Sequence, residues 1–361
     1  MRLGTCIALE FAVAASAVSG VWLGTGRLAA HAGDYLETRA VASPLPLARL
    51  APEALPRPEL TVIPPAALIN NVFGAPDEEL LAPLGDGKIT KMKLNHGGTS
   101  LSIRVDFSNG SRIAFKPEQI HPQSDPRREI AAYRIDRLLG LGHVPPAKEI
   151  ELSVAELIDA GDHGFRAYYA GRLTDEGIAR NGKFRGVASW WIPEIKLATL
   201  GPYRIDEREG RDIWTSQLQI GAKMQLELRP MLAQISACIL FDLLIDNSDR
   251  WSGSNTEMSP DGKLLYFMDN TLAFSKATFG HEINVLAMRR IQIYPRGLVD
   301  KLRKLTIEQV DAAMTMPAES KLGVLIKPFE AKALIARRDN MLKWIDQLIA
   351  RYGEQAVLAF P

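Results

Sequence analysis

The stretch "LLIDNSDRWSGSN", residues 243–255, ends an oily run in a cluster of charged and amide side chains. The run itself, "MLAQISACILFDLLID" behind Pro230, is apolar on nearly every face. It reads as a helix buried at the centre of a core, opened by proline at its first turn. Asp246, Asn247, Asp249 and Arg250 leave that helix together, and the next segment gives a reason. Ser259, Pro260, Asp261 and Gly262 spell a tight turn, and "KLLYFMDN", residues 263–270, reads as a strand. A hairpin there folds the chain back. Asp249 on the first arm and Asp269 at the end of the second then reach the same side, with Asn255 on the first arm.

Two carboxylates and an amide oxygen are hard donors suited to Mg²⁺ or Mn²⁺. Phosphoryl transfer uses such a set: an Asp and an Asn on metal, and an Asp beside the acceptor hydroxyl. Turn-capping Asx residues are the plainer alternative. They account for one or two of these positions, and less well for Asp269 and Asn270 at the end of so apolar a strand.

Upstream, "KITKMKLNHGGTSLSIRVDFSNGSRIAFKP" alternates apolar and polar residues around two turns, the second carrying Asn109-Gly110. At least three antiparallel strands are expected, with Lys116 at the end of the third. A helix follows over "RREIAAYRIDRLL", with Asp125 as N-cap, Pro126 at its first position, and Gly140 and Gly142 to stop it. A strand Lys116 held by a helix Glu129 would place an ammonium on phosphate oxygens; an exposed surface pair is the competing reading. Gly97, Gly98 and Thr99 lie between two strands, where glycine lets backbone N–H groups approach phosphates, or simply forms a hairpin turn. Trp190 and Trp191, before Pro193, suit a flat purine or an apolar patch between lobes. The tail, residues 329–352, carries Leu334, Met341, Ile345, Leu348 and Tyr352 on one face of an amphipathic helix.

The composition is that of an ordinary globular protein, 47% apolar and 24% charged, and 361 residues are enough for two lobes. Lys and Arg number 43 against 42 Asp and Glu, with no basic stripe, so no field for nucleic acid is expected. The order of elements predicts an α+β, bilobal fold. Residues 71–195 form a β-rich N-terminal lobe with one helix, and residues 196–361 a mainly helical C-terminal lobe. Residues 1–32 read as a signal peptide cut after Ala32, because an apolar stretch over residues 7–23 precedes Ala30-His31-Ala32. An uncleaved membrane anchor is the alternative. Residues 33–70 are a Pro-rich tether. Cys238 is then the lone cysteine of the mature chain, a small buried hydrophobe without a disulfide. The six histidines are scattered, and a zinc site is not expected.

Read in order, "GGTSL", "IAFKP", "EIAAYRIDRLLGLGHVPPA", "FRGVASWWIP", "LFDLLIDNSDRWSGSN" and "YFMDN" resemble the secretory-pathway kinases related to the Golgi casein kinase, an atypical protein-kinase-like group. The resemblance spans roughly half the chain. It implies ATP with Mn²⁺ or Mg²⁺, and a protein Ser/Thr or glycan acceptor. By this resemblance Lys116 contacts nucleotide phosphates, and Glu129 pairs with Lys116 or helps hold metal. Asp249 is the catalytic base, Asp269 and Asn255 are metal ligands, and Trp190 and Trp191 fall near the adenine. Two departures stand out: Trp251 where relatives carry His, and Asn270-Thr271 where they carry Asn-Gly. The chain thus looks like a distant, bacterial-type member, periplasmic or secreted. A catalytically inactive nucleotide-binding module, or a glycan-binding domain stacking sugar on the Trp pair, would be the other classes. Exported compartments are poor in ATP, which favours the inactive module; the full Lys, Glu, Asp and Asn set argues against it.

Overall fold

Alternating β-branched and polar residues lay down three strands, β1 (Ile89–Leu94), β2 (Ile103–Phe107) and β3 (Arg112–Pro117). They begin the architecture of the computed structural model, which describes residues 69–95, 100–251 and 255–361. The expected leader, nearly all of the tether, and Gly97, Gly98 and Thr99 lie outside the described residues. After the short α1 (Asp77–Leu81) and these strands come α2 (Arg127–Leu139), β4 (Ala147–Ser153), α3 (Val154–Asp159), α4 (Arg166–Glu176), β5 (Ala179–Arg180) and β6 (Lys183–Trp190). The sheet order is β1-β2-β3-β6-β4, antiparallel throughout, with β5 on β6.

The two-residue period gives this sheet two unlike faces. Ile103, Val105, Phe107, Ile113 and Phe115 are buried in a core closed by Leu157 of α3 and Leu173 of α4. Arg104, Asp106, Arg112, Ala114 and Lys116 occupy the alternate positions and so point to the other face. β6 runs close against β3: a Cβ on Gly186 would lie 2.3 Å from the Lys116 carbonyl oxygen, so only glycine fits there.

Beyond β6 come β7 (Lys196–Leu197), the hairpin of β8 (Thr199–Leu200) and β9 (Tyr203–Arg204), and α5 (Arg208–Gln217). Then α6 (Arg229–Ile245) runs through the second core with all residues from Ile235 to Ile245 buried, as its lack of a polar face requires. Each Leu, Ile or Phe so placed contributes about 1.5–3 kcal/mol, which makes α6 the rigid post of this lobe. Its last residue hands over to Asp246 in the left-handed region, φ +57°. The short strands β10 (Glu257–Met258) and β11 (Leu265–Tyr266) follow, then α7 (Glu282–Arg289), α8 (Arg296–Lys304), α9 (Ile307–Met314), α10 (Pro328–Tyr352) and α11 (Glu354–Val357). The turn at Gly262, φ +76°, joins β10 to β11 as expected. The second arm is shorter than predicted. It pairs only at Leu265 and Tyr266, and Asp269 lies beyond it at φ +54°, outside strand geometry. Pro126 likewise takes the N-cap position of α2 rather than its first turn, while Asp125 Oδ1 accepts from Arg127 N at 3.1 Å. Among the described residues, no helix is long and apolar enough to cross a membrane.

The turn after α2 fastens the lobes together. Asp136 is fully buried and accepts from the N–H groups of Gly142, His143 and Val144 at 2.9, 3.0 and 3.2 Å. His143, held by that turn, accepts Phe267 N on its carbonyl at 3.1 Å. Its Nδ1 lies 2.6 Å from Leu265 O and therefore carries the proton it donates. The ring also stacks on Phe267, centroids 4.8 Å apart.

Burial pushes the His143 pKa below its ordinary value of 6.5; the bond to Leu265 O opposes this and nearby Arg137 adds to it. The unfolded chain therefore binds the proton more readily. Stability held by neutral His143 is present above pH 6.5 and is lost as pH falls through the lower folded value. Between pH 7.5 and 5.5 the wild type is expected to lose urea midpoint relative to His143→Asn, which keeps a side-chain N–H donor but does not titrate; the buried carboxyls are common to both chains and cancel in that difference.

Candidate active site

Lys116, at the end of β3, projects from the polar face of the sheet and is buried. A buried ammonium needs compensation, and two carboxylates supply it. Glu129, in the first turn of α2, accepts from Nζ at 2.7 Å, and Asp269 accepts at 2.8 Å. Burial opposes the charge on Lys116, but Asp269 and Glu129 prevail and hold its pKa above the ordinary lysine value. Burial desolvates Asp269, yet Lys116 keeps its carboxyl below the usual range. Glu129 and Lys116 are enclosed, whereas the Asp269 side chain is 41% exposed and opens outward. The exposed-pair reading of Lys116 and Glu129 is therefore set aside.

The Asp269 backbone is fixed from both sides. Asn247 Nδ2 donates to Asp269 O at 3.0 Å and to Asn270 Oδ1 at 3.1 Å. Asn270 in turn donates to Glu129 through its backbone N, at 3.1 Å to Oε1, and through Nδ2, at 3.3 Å to Oε2. Arg250 ties the two arms together. Its guanidinium donates to Asn270 Oδ1 at 2.9 Å, to Asn255 O at 3.2 Å, to Met268 O, and to both oxygens of Asp242 at 3.3 Å. Asp242 lies in α6, fully buried, and burial pushes its carboxyl up to about 6 against the pull of Arg250. Asp249 and Asn255 meet on the first arm, where Asn255 Nδ2 donates to Asp249 Oδ2 at 2.8 Å. Five of the expected residues are thereby gathered in two adjoining groups, Lys116, Glu129 and Asp269 in one, Asp249 and Asn255 in the other, with Arg250 and Asn247 bridging them.

The tryptophans part company. Trp190 pairs with Ile113 and packs on the apolar side of the sheet, away from Lys116. Trp191 lies against Arg104 and Arg112, whose guanidinium carbons are 5.6 and 6.0 Å from its ring centroid. These arginines share the face of Lys116, so Trp191 alone of the pair borders that face. The two rings do not form one platform for a sugar. Trp251 is buried against Trp214, ring centroids 5.7 Å apart, as a packing residue.

Residue-by-residue reading missed the fixing residues Asp242, Asn247 and Asn270, and also Glu257. Glu257, on β10, is desolvated until its carboxyl rises to about 7, within electrostatic reach of Arg250, Asp269 and Lys116. One signal was present. An Asp inside a helix as oily as α6 must find a buried cation, and Arg250 is the nearest basic residue after it. A cavity of about 930 Å³ lies on the other flank of α2, lined by Tyr133, Arg134, Ile150 and Met316 and by none of these residues.

No protein-family model matches the chain. Its sequence is 22% identical over 334 residues to the extracellular serine/threonine protein kinase FAM20C of Homo sapiens, covering 78% of this chain and 56% of that protein. It is 23% identical over 242 residues to the glycosaminoglycan xylosylkinase of Danio rerio, covering 58% and 59%. It thus spans a little over half the length of these two curated relatives. The fold superimposes on the crystal structure of the Golgi casein kinase with Mn/ADP bound with a TM-score of 0.60, 17% identity and 78% of each chain covered. The fold is bilobal, α+β and protein-kinase-like, with a β-rich N-terminal and a mainly helical C-terminal lobe. By sequence the chain is related to the Fam20 kinases.

Removing one partner of a buried ion pair typically costs about 3–5 kcal/mol. Arg250→Leu is expected to lower unfolding stability by that amount in urea titrations. The double variant Arg250→Leu/Asp242→Asn should regain part of the loss, since it no longer strands a buried carboxylate. Equal losses in the single and double variants would contradict the hub role.

Proposed function

We propose that the chain is an exported, metal-dependent kinase that transfers the γ-phosphate of ATP to a hydroxyl, on protein Ser/Thr or on a sugar. One observation carries the reading: Lys116 Nζ touches both Glu129 and Asp269, and Arg250 binds the backbone of both arms that carry Asp249, Asn255 and Asp269. Kinship with kinases named for protein and for xylose acceptors supports both acceptor classes. The word extracellular in one of those names supports export. The lobes would divide near residue 195.

In this reading Lys116 orients the phosphates, and Glu129, enclosed and bonded by Asn270, fixes Lys116. Gly97, Gly98 and Thr99, which fall between β1 and β2 in the sequence, would contact the phosphates. Trp191 would border the purine, and Trp190 would support that edge from behind. Asp249 would accept the hydroxyl proton, steadied by Asn255 Nδ2. The donor set fits a divalent cation. Asp269 is ionised and opens outward, and Asn255 turns its nitrogen to Asp249, which leaves its Oδ1 as the atom for metal. Among the described residues no three His, Cys, Asp or Glu side chains form a ready cage. That suits Mg²⁺ or Mn²⁺ held by one or two carboxylates plus substrate phosphates. When bound, the cation neutralises charge on the transferring phosphoryl group.

The test is the purified protein with labelled ATP and Mn²⁺, over casein-like peptides and glycosides. Asp269→Ala should reduce transfer by at least roughly 10²-fold. Activity at the wild-type level in that variant would sink the assignment. Nucleotide-dependent thermal stabilisation of the wild type with no transfer to any acceptor would mark an inactive, nucleotide-binding module instead.

A further inference from the structure

Residues 70–77, ahead of the sheet, make more contacts than a linker requires. Phe73 is wedged between two aromatic rings. Its ring lies 5.5 Å from Trp190, at the end of β6, and stacks 5.8 Å from Tyr266, on β11. Val72 N donates to Gly142 O at 3.0 Å, and the fit is close: a Cβ on Gly142, φ +77°, would lie 2.6 Å from Asn70 O. Asp77 is bound by three side chains, Tyr133 OH at 3.0 Å, Arg137 Nε at 2.7 Å and Asn71 Nδ2 at 2.9 Å. Asn71 also fixes the bend, accepting from Phe73 N at 2.8 Å and donating to Ala75 O at 2.8 Å.

These anchor points are not scattered. Tyr133 and Arg137 lie one and two turns after Glu129 on α2. Gly142 and His143 form the turn that clips β11. Tyr266 stands three residues before Asp269, and Trp190 is where the chain leaves the sheet. We infer that residues 70–77 are a positioning strap, with Phe73 and Asp77 as its two positioning residues. The strap holds α2, the end of β6 and β11 in register, and so sets where Glu129 and Asp269 stand relative to Lys116. It touches neither nucleotide nor acceptor in the kinase reading, on which the second arm of the test rests.

Two variants test the strap, Phe73→Ala for the wedge and Asp77→Asn for the α2 anchor, with Phe73→Tyr as the conservative control. The first arm needs no ligand. Amide hydrogen exchange in the full chain, at a temperature where every variant stays folded by circular dichroism, should rise at least fivefold in residues 265–271 and in α2 for Phe73→Ala. Exchange in α8 and α10 should stay unchanged, and Phe73→Tyr should restore protection. The second arm measures MnATP binding and kinetics: KM for ATP should rise about five- to tenfold with kcat and acceptor KM nearly unchanged. A merely structural role would lower Tm and raise exchange everywhere while leaving the KM-to-kcat split flat. Unchanged exchange in residues 265–271 and α2 would overturn the strap whatever the nucleotide result. A wild type that binds no MnATP would overturn the kinase reading while leaving the exchange result to decide the strap.

Discussion

The buried ammonium of Lys116 is the constraint around which the rest of the structure is arranged. A single carboxylate would satisfy its charge, but it has two, from elements 140 residues apart in sequence: Glu129 on α2 and Asp269 beyond β11. Enclosing a charge costs several kcal/mol unless partners are held in place, so both carriers need rigid backing. α2 obtains it from the core it shares with α6 through Ile130, Ala131 and Ile135. Asp269 has no strand or helix of its own, and its backing comes from side chains that bond its backbone and that of its neighbours.

That second kind of support explains the crowding of polar residues after α6. Arg250 gathers Asp242, Asn255, Met268 and Asn270, which belong to a helix, a loop and the far arm of a hairpin. Asn247 joins the same group through Asp269 O. A regular sheet could not hold Asp269 at φ +54°; a guanidinium and two amides can, because their donors reach backbone oxygens in any direction. The Asp and Arg residues at 242 and 250 are thus structural, while Asp249 between Asn247 and Arg250 is half-buried and accepts from Asn255 Nδ2. Trp251 then turns the chain back into the core against Trp214. The corner that carries Trp251 is packed into the core.

Much of this was legible in the sequence. Period-two alternation placed the strands, Asn109-Gly110 placed a hairpin, and the unbroken apolar run of α6 placed the central helix. Lys116, Glu129, Asp249, Asn255 and Asp269 were legible as a set only because their order matched a known pattern, since each taken singly has a bland explanation. What did not show were long-range pairings without a period. Asp136 reads as one more charge on an amphipathic helix, yet it is buried to bind three N–H groups of the following turn. Trp190 and Trp191 read as a pair, but adjacent residues near a strand end point to opposite faces. β11 reads as a long strand because Phe267 and Met268 are apolar; in the fold their backbone bonds go to His143 and Arg250 instead of a neighbouring strand.

The segment after Asp269 completes the same logic. Phe274 takes a left-handed φ of +63° and donates its N–H to Ile245 O, the last carbonyl of α6. Arg337, buried in α10, donates to Leu244 O at 2.9 Å, Ser275 O at 3.2 Å and Ala277 O at 2.6 Å. Asp246 accepts from Ser275 Oγ, and from His281 N at 2.6 Å. The C-terminal end of the central helix is therefore capped by the very segment that leaves the site, since these carbonyls have no partner within α6. Arg337 cannot be replaced by a lysine on equal terms, because a planar fork is needed to reach three carbonyls on two strands of chain. Asp269 is consequently held between two fixed points. The Asn247, Asn270 and Arg250 group lies on one side, and the α6 terminus with Arg337 on the other. A carboxylate pinned in this way can stay partly exposed while its backbone remains packed, which is the combination that Lys116 requires of its outer partner.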